Sequence, residues 1–464
     1  MMVVMAHDPA TVDHRADGRT PTSVETRSAA RAGTRTSPWP RRLLVVGIVL
    51  AALNLRPAIT GLGPLLEEVR DGLGMSGTVA GLLTSAPALC FAVFGSAAPR
   101  LARRFGPAAV VLAGMAAVTA GLALRPLAGG TGTFLAASVV ALAGIAVSNV
   151  LMPVVVKRWF PDRIGPMTGL YSMALSLGTA AAAALTVPAA RAMGDDWRLG
   201  LGLSALPAAL AAVVWLPVVR GLRAAEPAPS AASTTAATDR AAEAPSTGGV
   251  AADGSAADGS GTAGRTSSLR ITRSPTAWAL GVFFGFQATA AYITMGWLPQ
   301  IFRDAGVPAS TAGLLLAVTM GLGIPLSFAL PRIAARLRHQ GPLAAGLAVC
   351  GLGGYAGLWF APAEGAWAWT LLLGISNCAF PLVLTLIGMR ARTGSGVAGL
   401  SAFAQGTGYL ISIPGPLLVG TLHQHTGGWH APLALMAVLM VAQLCAGLVA
   451  GRDRCVEDEL RMRH

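Results

Sequence analysis

The chain has 464 residues, of which 53% are hydrophobic and only 12% charged. Soluble domains carry about 25% charge, so this composition argues against an ordinary cytosolic enzyme and against disorder beyond local stretches. The net charge is +13. It sits in short arginine clusters between long apolar runs, not on one basic domain, which speaks for a membrane protein and against nucleic-acid binding. Lys157 is the sole lysine. Cys90, Cys350, Cys378 and Cys445 fall inside apolar runs and Cys455 near the end. With no CxxC or metal-type spacing they read as small core residues, without a disulfide framework.

A bilayer core of about 30 Å needs roughly 20 apolar residues per helix. Twelve such runs follow one another near 43–65, 78–98, 107–127, 133–156, 165–189, 198–219, 276–300, 310–331, 342–362, 366–388, 396–421 and 429–450. The first begins after a polar tail and no small-residue cleavage site follows it, so it reads as a span and not as a signal peptide. The expected organisation is a disordered tail at 1–42, a six-helix bundle at 43–220, a largely disordered linker at 221–275, a second six-helix bundle at 276–450 and a tail at 451–464. Tail and linker are rich in small polar residues and cannot bury enough apolar surface to fold alone.

The two sets of six repeat one another. Arg70-Asp71 matches Arg303-Asp304, Ala80-Gly81-Leu82-Leu83 matches Ala312-Gly313-Leu314-Leu315, and Pro99-Arg100 matches Pro331-Arg332. Asn149 with Pro153 matches Asn377 with Pro381, Gly169-Leu170 matches Gly399-Leu400, and Trp197 matches Trp429. Matches in one order at nearly constant offset indicate duplicated halves. The loops set the orientation. Arg100, Arg103 and Arg104, then Lys157, Arg158 and Arg163, then Arg332, Arg336 and Arg338, then Arg390 and Arg392 follow the even-numbered runs, whereas Glu67, Glu68, Asp71, Asp195, Asp196, Asp304 and Glu364 lie at the alternate loops. The positive-inside rule therefore places both termini and the linker in the cytoplasm of a bacterium, with the chain in its inner membrane.

Twelve spans, a parallel six-plus-six repeat and a long linker resemble the major facilitator superfamily. Gly95 to Arg104, with Pro99, Arg100, Ala102, Arg103 and Arg104, resembles that family's loop signature G-x-x-x-D-R-x-G-R-R, with Pro99 in place of Asp and Ala102 in place of the second Gly. The resemblance implies a cytoplasmic gate at Arg100, Arg104 and, in the second copy, Arg332; the missing Asp puts its usual charge network in question. Asn54-Leu55-Arg56-Pro57-Ala58-Ile59-Thr60 with Gly63-Pro64-Leu65-Leu66, and Ala80 to Pro87, resemble the cyanate/2-nitroimidazole transporter branch. This implies an all-α membrane fold of two pseudo-symmetric bundles that moves a solute and catalyses no reaction.

Arg56 is the most informative residue. It lies about 20 Å into the first run at about 1.5 Å per residue, and an arginine at membrane depth costs at least about 2.5–3.5 kcal/mol. Facing a central cavity, it suits an anionic or nitro-type group, because the guanidinium donors form a rigid fork. Pro57 frees the Leu53 carbonyl, a break tolerated where backbone lines a cavity. The competing role is a snorkelling arginine or a helix prop. No Asp or Glu lies mid-span, which favours an anion or polarised neutral solute over a cation and argues against carboxylate proton relays. Further cavity candidates are Asn54, Asn149, Tyr171, Gln287, Tyr292, Trp297, Asn377, Gln405 and Tyr409. Polar stripes at Thr168, Ser172, Ser176 and Thr179, and at Ser401, Gln405, Tyr409 and Ser412, read more readily as interhelical hydrogen bonding for the Ser and Thr members. His423, Gln424, His425 and His430 are too few and too loosely spaced for a metal site.

No Walker loop and no dinucleotide fingerprint occur, so no cofactor and no ATP drive is expected. The expected partners are a small-molecule solute and membrane lipid, with a coupling ion left open and no nucleic acid. The leading reading is a secondary transporter of a small, cyanate-like anion. The alternatives are efflux of nitroaromatic or drug-like compounds, which would want an aromatic-lined cavity where aromatics are only 6% of the chain, and a non-transporting membrane sensor.

Overall fold

A computed structural model describes residues 38–225 and 271–461. The disorder expected for the tail and linker therefore lies outside the described residues, apart from their edges. Eleven helices among the described residues are long and apolar enough to cross a membrane. In order they are Arg42–Leu73, Gly77–Phe105, Pro107–Leu124, Thr131–Trp159, Pro166–Ala192, Trp197–Gly221, Pro275–Asp304, Ala309–Arg336, Gly341–Phe360, Ala366–Met389 and His430–Ala450. The remaining run is the pair Gly394–Ser412 and Pro414–Thr426. Its Ser401, Gln405, Thr407, Tyr409 and Ser412 dilute the apolar signal. It is the eleventh span, and His430–Ala450 the twelfth.

Within the first half the third span packs on the fourth and sixth, and the first on the fifth and sixth. Within the second, the seventh packs on the eleventh and twelfth, and the ninth on the tenth and twelfth. The halves meet along two helix pairs, the fifth with the eighth and the second with the eleventh. Small residues permit this. Lipid is as apolar as a leucine face, so close backbone approach is what holds membrane helices together. A Cβ on Gly178 of the fifth span would lie 2.0 Å from the Leu53 carbonyl oxygen. The carbonyl freed by Pro57 is thus covered by a helix that carries no side chain there.

Five spans break along their length. The first breaks between Leu53 and Pro57, the sixth at Leu203–Ser204, the eighth at Leu322, the tenth at Cys378 and the eleventh at Ile413. Pro57, Pro207, Pro325, Pro381 and Pro414 follow these breaks within a few residues, each removing an N–H from the ladder. The second span carries a wide turn over Phe91–Gly95, just after Pro87. Wide turns of this kind concentrate at functional positions.

On the arginine-rich face the chain end is tied down. Helix Val456–Arg461 places Glu459 against the start of the seventh span, where it accepts bonds from Ser274 Oγ (2.5 Å), Thr276 Oγ1 (2.7 Å) and Thr276 N (3.3 Å). Glu457 accepts from the N–H groups of Arg392 (3.0 Å) and Thr393 (3.3 Å). Arg390, 2% exposed, donates to the Ala450 and Gly451 carbonyls and to Gln340, and meets Asp453 at 3.4 Å. Burial lowers the Arg390 pKa from its ordinary value, and the nearby Asp453 charge opposes that shift.

Candidate substrate cavity and outer gate

The breaks of the first, eighth and tenth spans border one cavity of about 280 Å³ between the halves. The first span contributes Arg56, the fifth Ser172, Ser176 and Thr179, and the seventh Phe284 and Tyr292. The eighth adds Met320, Gly323 and Ser327, the tenth Asn377, Phe380 and Pro381, and the eleventh Tyr409. Arg56 is the charged member of this lining. Its guanidinium stands 5.8 Å from the centre of the Phe380 ring, across the interface, and finds no carboxylate or hydrogen-bond acceptor among the described residues. It lies at the break itself, just before the short helix Pro57–Thr60. The local kink therefore aims it inward, where a continuous helix would continue its own ladder.

Hydroxyl groups line the fifth-span side, and an aromatic cluster lines the seventh, tenth and eleventh. Phe91 stacks on Tyr409 with centroids 5.0 Å apart, Phe284 meets Tyr409 edge-on at 5.2 Å, and Phe284 lies 5.9 Å from Phe380. Aromatics are scarce in the whole chain yet gathered here, so the composition argument against an aromatic-lined cavity does not hold. Three of the chain's four tyrosines, Tyr171, Tyr292 and Tyr409, lie in or beside this region.

Asn377 is held by a polar chain. Pro381 cannot donate, so the Asn377 carbonyl is free to accept from Gln287 Nε2 (3.0 Å), which also reaches Asn377 Oδ1 (3.2 Å). Gln287 Oε1 in turn accepts from Gln443 Nε2 of the twelfth span (3.0 Å). Gln287 is thus a buried support for Asn377 and not part of the lining. In the first half, Tyr171 donates to Asn149 Oδ1, pinning the fourth span to the fifth beside the lining. The repeat-related asparagines have found different partners.

Three further sequence candidates also lie outside the lining. Asn54 is 2% exposed and donates to the Leu50 (2.8 Å) and Pro207 (3.1 Å) carbonyls, joining the first span to the sixth. The main-chain break turns it opposite to Arg56. Trp297 is fully buried and donates to Thr84 Oγ1 (3.2 Å), sealing the seam between the seventh and second spans. Gln405 bonds Ser401 Oγ (2.7 Å), one turn from Tyr409 toward the arginine-rich face. Among the stripe residues, Thr179 bonds within its own helix, to the Leu175 carbonyl (2.6 Å).

Contacts that close the molecule gather on the acidic side. Arg303, at the end of the seventh span, reaches Glu67 (2.7 Å), Glu68 (2.7 Å) and the Pro64 carbonyl (2.9 Å) of the first. Gln424 accepts from Thr78 N (2.8 Å) and Oγ1 (3.0 Å), and Arg191 donates to Ser310 (3.3 Å). Asp304 accepts from Trp429 Nε1 (2.7 Å), and His423 stacks on Trp429 at 4.1 Å while His430 meets Trp359. His423 is thus held in a stack and His430 in an edge-on ring contact. Arg100, Arg104 and Arg332 are exposed on the opposite face, so the gate formed here is the acidic-side one. Arg303 joins the two halves, a role its place in the chain does not announce. Its signal was an arginine in an otherwise acidic loop, at the position repeat-equivalent to Arg70.

A two-bundle helical membrane protein with a polar, proline-kinked cavity between its halves and a closed gate on one side is a secondary solute carrier. Residues 43–413 match the Major Facilitator Superfamily, and the chain belongs to it. It is 33% identical to the 2-nitroimidazole transporter of Escherichia coli (strain K12) over 415 residues, covering 89% of this chain and 96% of that protein. It is 28% identical to the cyanate transport protein CynX of the same organism, covering 86% and 94%. Among solved structures, a bacterial homologue of the human lysosomal transporter Spinster superposes with a TM-score of 0.66 at 15% identity, over 89% of this chain and 95% of that one. The protein is a multi-pass membrane transporter of this superfamily and not an enzyme.

Proposed function

We propose that the chain moves a small, planar, anionic or strongly polarised solute across the bacterial inner membrane by alternating access, with Arg56 as its binding cation. The observation that carries this reading is the unpaired Arg56 guanidinium on the cavity wall. A cation kept at membrane depth without a counter-ion awaits one from the solute. The two halves, 43–220 and 276–450, rock about the cavity, and the linker and both tails lie on the cytoplasmic side. Cyanate-like anions are the first candidates, supported by the similarity to the cyanate transport protein. The aromatic walls favour a second reading, a flat nitro-type ring lying against Phe284, Phe380 and Tyr409, in line with the likeness to the 2-nitroimidazole transporter.

Labelled cyanate uptake into proteoliposomes, wild type beside Arg56→Gln, with and without a pH gradient, tests the first reading. Saturable uptake that Arg56→Gln loses is the expected result. Absent uptake by a well-folded wild type sets cyanate aside and leaves 2-nitroimidazole as the solute to assay. Uptake of either solute that is unchanged in Arg56→Gln removes Arg56 from the mechanism.

A further inference from the structure

A second arginine is buried on the route between the cavity and the acidic face. Arg125 follows the third span and is 2% exposed. Its Nε donates to Ser138 Oγ of the fourth span (3.0 Å) and its Nη1 to the Ala58 carbonyl of the first (2.8 Å). The guanidinium lies 5.6 Å from the centre of the Phe134 ring. No carboxylate pairs with it among the described residues. One hydroxyl acceptor, one carbonyl acceptor and a ring satisfy part of a five-donor fork and leave its charge uncompensated.

Its position is what distinguishes it from a helix brace. Arg125 borders a void of about 10 Å³, lined also by Ile59, Thr84, Tyr292 and Gly296. That void lies between the halves, because Tyr292 and Gly296 belong to the seventh span and the other residues to the first half. Tyr292 lines the central cavity as well, so one tyrosine borders both the Arg56 chamber and the Arg125 void. The seam around it is the one closed by Arg303 and by the Trp297–Thr84 bond. Parting of that seam would widen the void toward the acidic face, with Arg125 on its wall.

We infer that Arg125 is a second anion station, on the acidic-face side of Arg56, which holds the solute while the acidic-side seam is open. This rests on the reading of an anionic solute at Arg56. Arg56 serves the solute from either face, whereas Arg125 serves it from one.

The test uses labelled cyanate as the probe, with initial rates measured from each face separately in right-side-out and inside-out vesicles. Wild type, Arg125→Gln, Arg125→Lys, Ser138→Ala and Arg56→Gln are compared. Loss of a charge-assisted contact predicts that Arg125→Gln raises the KM at the acidic face about tenfold or more, with the KM at the arginine-rich face within about twofold of wild type. Ser138→Ala, which keeps the charge and loses the hydroxyl that holds Nε, shows a smaller rise at the same face. An unchanged KM or an equal rise at both faces in Arg125→Gln overturns the station and leaves Arg125 as a brace. Should Arg125→Gln not fold, Arg125→Lys decides by the same comparison of faces. Arg56→Gln separates the two ideas, since failure of the anion reading shows as unaltered Arg56→Gln kinetics at both faces, or as no cyanate transport by the wild type, and either result removes the station too.

Discussion

Replacing Arg303 by Gln removes the ion pairs that hold the acidic-side gate shut while keeping a long polar side chain. The Arg303 side chain is 15% exposed, whereas Glu67 and Glu68 are 41% and 33% exposed. Solvent therefore screens both pairs, and each contributes about 0.5–1 kcal/mol. The bond to the Pro64 carbonyl adds about 1 kcal/mol. Together the three bias the closed gate by about 2 kcal/mol, or roughly 30-fold in the balance between conformers. The assay is a distance distribution between spin labels at Leu127→Cys and Glu364→Cys, in a chain whose native cysteines are replaced. Leu127 and Glu364 are exposed in acidic-side loops of opposite halves. Arg303→Gln should shift population toward longer distances, and solute should shift it further. An unchanged distribution in well-folded Arg303→Gln would show that packing and not charge sets the closed state.

Packing at the same seam gives a matched perturbation. A Cβ on Gly420 would lie 2.4 Å from the Gly77 carbonyl oxygen, so Gly420→Ala should wedge the second and eleventh spans apart, at an overpacking cost of about 1–3 kcal/mol, and lengthen the same label distances. In the cavity, Tyr409→Phe keeps the ring stacks with Phe91 and Phe284 and should transport much as wild type. Tyr409→Leu loses aromatic pairs worth about 0.5–1.5 kcal/mol each and should raise the solute KM about 2- to 10-fold. On the arginine-rich face, Glu459→Leu would strip the acceptor from Ser274 and Thr276 and should lower thermal stability by about 1–3 kcal/mol, read as a lower Tm in detergent, with solute KM unaltered.

Much of this molecule is legible along the chain because bilayer thickness turns composition into architecture. A run of apolar residues either crosses the membrane or does not, so the predicted runs recur as spans. The repeat offsets likewise identified Asn149 and Asn377 as equivalent positions. Equivalence did not extend to partners, since Tyr171 and Gln287 come from different helices relative to each asparagine. Arg56 could be singled out because charge at membrane depth is costly wherever it occurs. Asn54, two residues away, has the same local context, yet the break sends it to the sixth span.

Cavity walls and gates are long-range products. Phe91, Phe284, Phe380 and Tyr409 lie on four different spans, and nothing in their spacing along the chain joins them. Arg303 finds its carboxylates across more than half the chain, and Arg125 looks like a topological loop arginine until the first and fourth spans close over it. The amino-acid sequence by itself determined the spans, the duplicated halves and the arginine at membrane depth, because hydropathy, repetition and desolvation act locally. Only the tertiary structure decided which side chains share the cavity and which side of it is shut, because proline breaks and glycine contacts rotate helices against one another after they have formed.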